Sequence, residues 1–135
     1  TVTAVCGAQA PIDGGALDEL ADNFSKLDIR QHVADMAELM VGSDLAVGAA
    51  GTTSWERCCL GLPALIRVMA ENQQEIAQRL QAAGAIRVWR STTELREQLD
   101  EYVSDNSLLR RASAAASNIC DGRGLERVIA EMQSC

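Results

Sequence analysis

The 135-residue sequence predicts an α/β fold in which a parallel sheet is flanked by helices. Short β-rich segments alternate with segments of helical periodicity through residues 1–88, and each strand is followed by enough chain for a crossover helix. Such alternation is typical of right-handed βαβ units, which build parallel sheets. Because 47% of the residues are apolar, we expect residues 1–135 to form one domain with a buried core.

The predicted strands are short and are separated by helical segments. They are residues 1–6, 27–30, 44–48, 64–68 and 86–88. Apolar spacing predicts helices at 13–25, 36–40, 53–60 and 73–83, followed by a helical tail from 92 to 132 that packs on one side of the sheet. Gly61 and Pro63 end the helix at 53–60, because glycine often terminates helices and proline cannot continue one.

Charge, hydropathy and cysteine usage exclude several classes of protein. A net charge of -7 and a pI near 4.6 argue against nucleic-acid binding, which needs a basic surface. No stretch is long and apolar enough to span a bilayer. The five cysteines fit neither a disulfide framework nor a zinc site, so we expect buried, reduced thiols in a cytoplasmic protein. The adjacent Cys58 and Cys59 should face different sides of their helix.

The segment 44–74 carries the strongest functional signal. It is predicted as a strand, a small-residue turn, a helix, a second strand and a polar turn. Both strand ends therefore place polar groups at the edge of the sheet where open α/β sheets bind ligands. The Gly-Ala-Ala-Gly turn at 48–51 lets a ligand approach the backbone closely. Thr52, Thr53 and Ser54 then supply hydroxyl and N–H donors at a helix start, which favours an anion.

Glu56 has two interpretations. It lies one helical turn beyond Thr53, where its carboxylate could accept hydrogen bonds from both hydroxyls of a ribose attached to a pyrophosphate at the turn. The pattern Thr53-x-x-Glu56 is also that of a capping box, in which both side chains satisfy backbone N–H groups. Asn72-x-x-Glu75 has the same ambiguity at the next helix. Neither a GxGxxG dinucleotide motif nor a P-loop occurs.

The remaining polar residues suggest little chemistry. His32 is the only histidine and has no Ser or Cys nucleophile pattern near it, so we interpret it as a loop residue. Arg123, in a predicted turn before the last helix, could reach a carboxylate or a phosphate. No acidic cluster accompanies the turn at 48–51, so we expect no metal and no cofactor.

The run VADMAELMVGSDLAVGAAGTTSWERCCLGLPALIRVMAENQQEIAQRL, residues 33–80, resembles the carboxyl-terminal half of the UDP-sugar hydrolases of pseudaminic acid biosynthesis. Those enzymes cleave UDP-2,4-diacetamido-2,4,6-trideoxy-β-L-altropyranose into UDP and the free sugar. The wider group includes spore-coat polysaccharide biosynthesis proteins and the nucleotide-binding half of glycosyltransferase family 28. The resemblance spans residues 2–128, and the run at 55–63 is specific to the hydrolases. It implies a Rossmann-like sheet, the C-terminal half of a GT-B-type two-domain fold.

The resemblance also implies a UDP site in this chain. The implied UDP-binding residues are Val33, Met36, Gly51, Thr52, Thr53, Ser54, Glu56, Asn72 and Gln73. The resemblance implies that Val33 and Met36 hold uracil and that residues 51–54 hold the pyrophosphate. It also implies that Glu56 holds the ribose and that Asn72 and Gln73 face the phosphates and the sugar.

In the family, the general base is a histidine of an amino-terminal domain. The resemblance therefore implies that this chain carries no catalytic residue, is inactive alone, and needs that missing domain as its partner. The predicted role is to hold UDP or a UDP-sugar while the intact enzyme hydrolyses it. Two alternatives remain open: the donor-binding half of a UDP-sugar glycosyltransferase, and a non-catalytic nucleotide-sugar-binding subunit. The sequence of the missing half would distinguish a glycosyltransferase from a hydrolase. Tight UDP binding without turnover would indicate the non-catalytic subunit.

Overall fold

The computed structural model describes residues 1–7 and 14–134, which pack as two compact units, Thr1–Met36 and Ala37–Cys135. Each described strand pairs with a parallel neighbour, and helices connect consecutive strands. The α/β class predicted from the sequence is therefore confirmed. Hydrogen bonding divides the described strands between two sheets, one in each unit, where a single sheet was expected. Alternation of strands and helices identifies the strands but does not specify which of their edges pair.

The first unit contains one βαβ motif. It consists of β1 (Val2–Cys6), α1 (Gly14–Asn23) and β2 (Leu27–Gln31). The two strands pair in parallel, from Val2 opposite Leu27 to Cys6 opposite Gln31, and α1 packs against β2. The predicted start of this helix, at residue 13, lies outside the described residues.

The second unit is built on a three-stranded parallel sheet in the order β3-β4-β5. Its elements follow α2 (Met36–Val41), which begins at the last residue of the first unit. They are β3 (Ala46–Ala49), α3 (Thr53–Cys59), β4 (Ala64–Arg67), a 3₁₀ turn (Glu71–Gln73), α4 (Gln74–Ala82), β5 (Ile86–Val88), α5 (Thr92–Ser104), α6 (Asn106–Ser117) and α7 (Gly124–Gln133). The predicted elements are present, with boundaries shifted by a few residues. Because the strands are parallel, their carboxyl ends lie at one edge of the sheet.

The core of this unit lies on both faces of β4, its central strand. On one face, Ile66 joins Cys58 of α3 and Leu80 of α4. On the other face, Leu65 joins Tyr102 of α5. These five side chains are at most 5% exposed, and Leu65 and Ile66 of β4 are fully buried. Burial on both faces explains why the sequence of this strand is continuously apolar rather than alternating.

Gly61 ends α3, as the sequence predicts. Its φ of +66° is in the left-handed region, and its N–H donates to the Cys58 carbonyl at 3.0 Å. A side chain would not fit, because a Cβ at this position would lie 2.4 Å from Oγ of Ser117 on α6. The hydroxyl of Ser113, also on α6, donates to the Gly61 carbonyl at 2.7 Å. The end of α3 is thus held against α6.

The helical tail packs only in part. Helices α5 and α6 contribute buried residues to the core, whereas no described residue of α7 is buried. The apolar side chains of α7 are exposed: Leu125, Val128, Ile129 and Met132. The prediction that the whole tail packs on the sheet is therefore wrong for α7. Its helical periodicity is real, but periodicity does not specify what an apolar face contacts.

The cysteines differ in exposure. Cys6 and Cys58 are buried, Cys120 is half-buried, and Cys59 is exposed. These four are free thiols, and Cys135 lies outside the described residues. Cys58 and Cys59 do face different sides of α3, since successive helical residues are about 100° apart. The expectation of burial is wrong for Cys59 for the same reason: the inner side of α3 is already occupied by Cys58.

Candidate functional site

Strand register brings the two polar turns of segment 44–74 together. Ala49, at the end of β3, pairs with Arg67 at the end of β4. The next residue, Ala50, donates its N–H to the Arg67 carbonyl at 3.3 Å. Beyond β5, Trp89 donates its N–H to the Ile66 carbonyl at 3.0 Å. The turn after β3, the loop after β4 and the first residue after β5 therefore lie along one edge of the sheet, where the sequence predicts a site.

The turn between β3 and α3 presents backbone donors. Ser54 donates its N–H to the Gly51 carbonyl, and Trp55 donates its N–H to the Thr52 carbonyl, each at 3.0 Å. Within the part of the chain that the structure describes, the N–H groups of Thr52 and Thr53 meet no acceptor. A Cβ added at Gly51 would meet nothing within 4 Å, so there is open space over the turn. This arrangement can accept an anion at the start of α3.

The three hydroxyl side chains at this turn are not equivalent. Thr52 is exposed and Thr53 is half-buried, whereas Ser54 is buried at 2% exposure. The Ser54 hydroxyl accepts the N–H of Gly51 at 3.4 Å, which is a long hydrogen bond. Ser54 therefore supports the turn from beneath, and Thr52 is the hydroxyl most open to a ligand.

Glu56 is exposed, and its carboxylate makes no hydrogen bond or ion pair with any residue that the structure describes. The capping box Thr53-x-x-Glu56 is not formed. The residue at the cap position is Thr52, with helical φ and ψ of -58° and -34°, and no side chain caps the helix. The carboxylate is thus available to a ligand one turn beyond the anion-accepting N–H groups.

The loop after β4 is held by one of its predicted site residues. Oε1 of Gln73 accepts the N–H of Met69 at 2.9 Å, which closes the loop on itself. Asn72 is exposed in the 3₁₀ turn, and its amide has no partner within the described ranges. The alternative capping box with Glu75 is not formed, because Glu75 pairs with Arg79 at 2.6 Å. Asn72 can therefore contact a ligand directly, while Gln73 retains its amide nitrogen and the second lone pair of Oε1.

Val33 and Met36 belong to the first unit, and the other seven predicted residues belong to the second. Both are half-buried and follow β2. The preceding His32 is exposed and has a φ of +58°. Histidine is among the few non-glycine residues that adopt this left-handed conformation, which costs backbone energy and often marks functional loops. His32 thus lies in a loop, as predicted from the sequence.

Arg57 is a charged residue of this edge that sequence reasoning missed. Its Nη1 donates to the Ala49 carbonyl at 3.4 Å, at the end of β3. Its Nη2 lies 3.1 Å from the position that a Cβ of Gly48 would occupy, so the absent side chain makes room for the guanidinium. Burial lowers the pKa of Arg57, and the charge of the adjacent Glu56 partly opposes this shift. The available signal was spacing: Arg57 is three residues after the buried Ser54, on the inner side of α3.

A second arginine lies at the same edge. The Arg67 guanidinium stacks over the Trp89 ring, 5.1 Å from its centroid. Neither Arg57 nor Arg67 forms an ion pair with a described residue, whereas six other arginines do. Arg123 is one of the paired arginines: its Nε donates to Glu126 at 2.8 Å, so it reaches a carboxylate.

The structure also bears on metals and membranes. In residues 1–7 and 14–134, no group of three or more His, Cys, Asp or Glu side chains could hold a metal ion. No helix within the same ranges has the length and apolar character needed to cross a membrane.

Residues 4–127 match the model of the glycosyltransferase family 28 C-terminal domain. The chain belongs to this family. The match extends over both compact units. The predicted membership in a family of C-terminal domains of GT-B-type proteins is thereby confirmed.

A curated relative and two solved structures resemble this family 28 domain. The spore coat polysaccharide biosynthesis protein SpsG of Bacillus subtilis (strain 168) is 30% identical over 112 residues, which cover 73% of this chain and 31% of SpsG. The MurG structure of Acinetobacter baumannii has a TM-score of 0.76 and 22% identity. The match covers 99% of this chain and 42% of the MurG chain. The structure of the glycotransferase of kitacinnamycin has a TM-score of 0.57 and 16% identity. The match covers 86% of this chain and 38% of the glycotransferase. The chain therefore spans less than half the length of each of these proteins.

Proposed function

We propose that this family 28 domain binds the UDP part of a UDP-sugar at the edge formed by residues 49–56 and 67–73. One observation carries the proposal. Unused N–H groups of Thr52 and Thr53 stand one helical turn from Glu56, a carboxylate that the described residues leave without a partner. A nucleoside diphosphate has the complementary groups in the same order: an anionic diphosphate, then a ribose with two hydroxyl donors.

The remaining residues extend this assignment. The uracil contacts of Val33 and Met36 stay predictions from the sequence. Asn72 would face the phosphates and the sugar, and Gln73 would act mainly by holding the loop that carries it, since its Oε1 already accepts the Met69 N–H. Ser54 would act by supporting the turn, because its hydroxyl is buried against Gly51.

We further propose that the intact enzyme hydrolyses its UDP-sugar. Water would attack the anomeric carbon, the bond from that carbon to the diphosphate oxygen would break, and UDP would leave. This chain would hold the leaving group, and its N–H donors would stabilise the charge that develops on the diphosphate. The general base would come from an amino-terminal domain, which the greater length of the relatives supports. Hydrolysis, pseudaminic acid as the pathway and a cytoplasmic location stay predictions.

A second candidate is glycosyl transfer, in which an acceptor hydroxyl replaces water. The description of the matching family, glycosyltransferase family 28, favours it. The two reactions make the same demand on this domain, because UDP is the leaving group in both.

Binding can be tested by titrating UDP into ¹⁵N-labelled protein and following amide shifts, with CMP as the control nucleotide. We expect UDP to shift the amides of residues 51–56 and 33 more than CMP does. Because backbone donors meet the phosphates, adding EDTA should leave the UDP affinity unchanged. An absence of shifts at millimolar UDP would contradict the proposed function.

A further inference from the structure

We propose that Arg57 is an additional diphosphate-binding residue, whose guanidinium contacts the ligand anion from beneath the turn at residues 50–52. This inference rests on the proposed UDP site and adds to it a cationic contact. None of the residues that sequence reasoning assigned to the site carries a positive charge.

The position of Arg57 is set by the strand that precedes the turn. Its donation to the Ala49 carbonyl places the guanidinium at the carboxyl end of β3, two residues before Gly51. Gly48 makes this possible, because any larger residue would bring a Cβ to within 3.1 Å of Nη2. The guanidinium thus lies beside the carboxyl end of β3, where the turn begins.

The electrostatics of Arg57 are unusual within the described chain. Desolvation lowers its pKa, so its charged form is disfavoured by burial. Among described residues, its one hydrogen-bond acceptor is a carbonyl at 3.4 Å, and it forms no ion pair, although the charge of the adjacent Glu56 partly opposes the pKa shift. A half-buried guanidinium with unused donors is a favourable partner for an anion. A diphosphate would supply that anion and match the planar fork of N–H donors.

The charge of the whole chain makes a local cation useful. A net charge of -7 opposes the approach of a diphosphate. The seven-residue α3 contributes only partial positive charge at its start. Arg57 would add a full positive charge at the same place. Because the side chain is half-buried, water would screen this charge less than it screens an exposed one.

The test compares three variants against two ligands. Arg57→Gln removes the charge and keeps similar length, and Arg57→Lys keeps the charge but loses the fork. Arg110→Gln is the control, because it removes the same charge from an exposed position on α6, outside the proposed site. Affinities for UDP and for uridine, which lacks the diphosphate, are measured by NMR titration, with each variant's amide spectrum as the check on folding.

We expect Arg57→Gln to weaken UDP binding about tenfold while uridine binding changes by less than about twofold. Arg57→Lys should fall between wild type and Arg57→Gln, and Arg110→Gln should change the UDP affinity by less than about threefold. Equal UDP affinity of wild type and Arg57→Gln would overturn the inference and leave the UDP site standing. Equal losses for Arg57→Gln and Arg110→Gln would also overturn it, by showing a general effect of net charge. If wild type fails to bind UDP at all, the proposed function itself is wrong. If Arg57→Gln does not fold, the ratio of UDP affinity to uridine affinity is compared between Arg57→Lys and wild type. The same ratio in both proteins would overturn the inference.

Discussion

At the residue scale, two helix starts with the same sequence pattern have different structures. Ser91-x-x-Glu94 forms a cap at α5: the Ser91 hydroxyl accepts the Glu94 N–H at 3.2 Å, and Glu94 accepts the N–H of Arg90 at 2.7 Å. Thr53-x-x-Glu56 forms none. The chain enters α5 in an extended conformation at Ser91, whereas Thr52 is already helical, so the side chains at α3 cannot reach back in the same way.

We therefore expect Glu56→Ala to weaken UDP binding by about 1.5–3 kcal/mol while reducing the free energy of unfolding by less than about 0.5 kcal/mol. Isothermal titration with UDP and urea unfolding measure the two effects. The matched variant is Glu94→Ala, which should lower stability by about 0.5–1 kcal/mol and leave UDP binding unchanged. Equal affinity of the wild type for dUDP and UDP would show that Glu56 does not bind the ribose.

Two glycines make a second pair of variants. Gly61→Ala should lower the free energy of unfolding by about 1–3 kcal/mol, because of its positive φ and the clash with Ser117. Gly51→Ala should change stability little, since a Cβ there meets nothing, but it should weaken UDP binding by obstructing the turn. Urea unfolding and UDP titration of both variants check this.

The combined variant Gly61→Ala/Ser117→Ala separates the two causes at residue 61. It removes the clash but keeps the strained φ, so about 1 kcal/mol of the loss should persist. Full recovery would mean that φ contributes nothing. A Gly51→Ala protein that binds UDP as wild type does would contradict close approach of a ligand to the turn.

At the element scale, a charged pair joins α7 to the segment that precedes it. Arg127 donates to both oxygens of Asp121, at 2.7 and 3.0 Å, and Asp121 also accepts the Arg123 N–H at 3.0 Å. These hydrogen bonds hold the pKa of Asp121 well below its usual range. Because no described residue of α7 is buried, we expect this pair to contribute to holding the start of the helix.

A depressed folded-state pKa means that Asp121 stabilises the fold above its unfolded pKa of about 4, and that this contribution is lost as the pH falls through the folded value. We expect hydrogen exchange of residues 124–134 to show constant protection from pH 7 to about pH 4 and falling protection in stronger acid. Asp121→Asn should lower the protection at pH 7.

Carboxyl ¹³C titration gives the direct measurement. The midpoint of Asp121 should lie below the usual aspartate value and should return toward it in Arg127→Gln. A normal midpoint in the wild type would show that the pair does not form in solution.

At the scale of the whole molecule, we propose that the chain supplies groups that bind UDP and that the catalytic base comes from elsewhere. Its only histidine, His32, is an exposed loop residue of the first unit. Water attack on an anomeric carbon needs a base within hydrogen-bond reach of that water. Glu56 would be occupied by the ribose, a diphosphate away from the reacting carbon.

We therefore expect the 135-residue chain to bind UDP but to release none from UDP-2,4-diacetamido-2,4,6-trideoxy-β-L-altropyranose. A protein that adds the proposed amino-terminal domain should release UDP in a coupled assay, and production of the free sugar without an acceptor would indicate hydrolysis. UDP release that requires an added acceptor would indicate transfer instead. Turnover by the 135-residue chain that survives His32→Ala would show that the catalytic group has been misplaced.

Sequence alone specified the local features of this protein. Apolar periodicity located the strands and helices, glycine and proline located the end of α3, and the small-residue turn with Glu56 located the candidate site. These features depend on residues close together in the chain. The order β3-β4-β5, the burial of Ser54, the open capping box at α3 and the placement of Arg57 over Gly48 were not predictable in this way. Each of them depends on backbone geometry or on packing between elements, which no local pattern encodes. The sequence predicts a surface position for a charged residue such as Arg57, and only the structure shows that a glycine of a neighbouring strand makes room for its side chain.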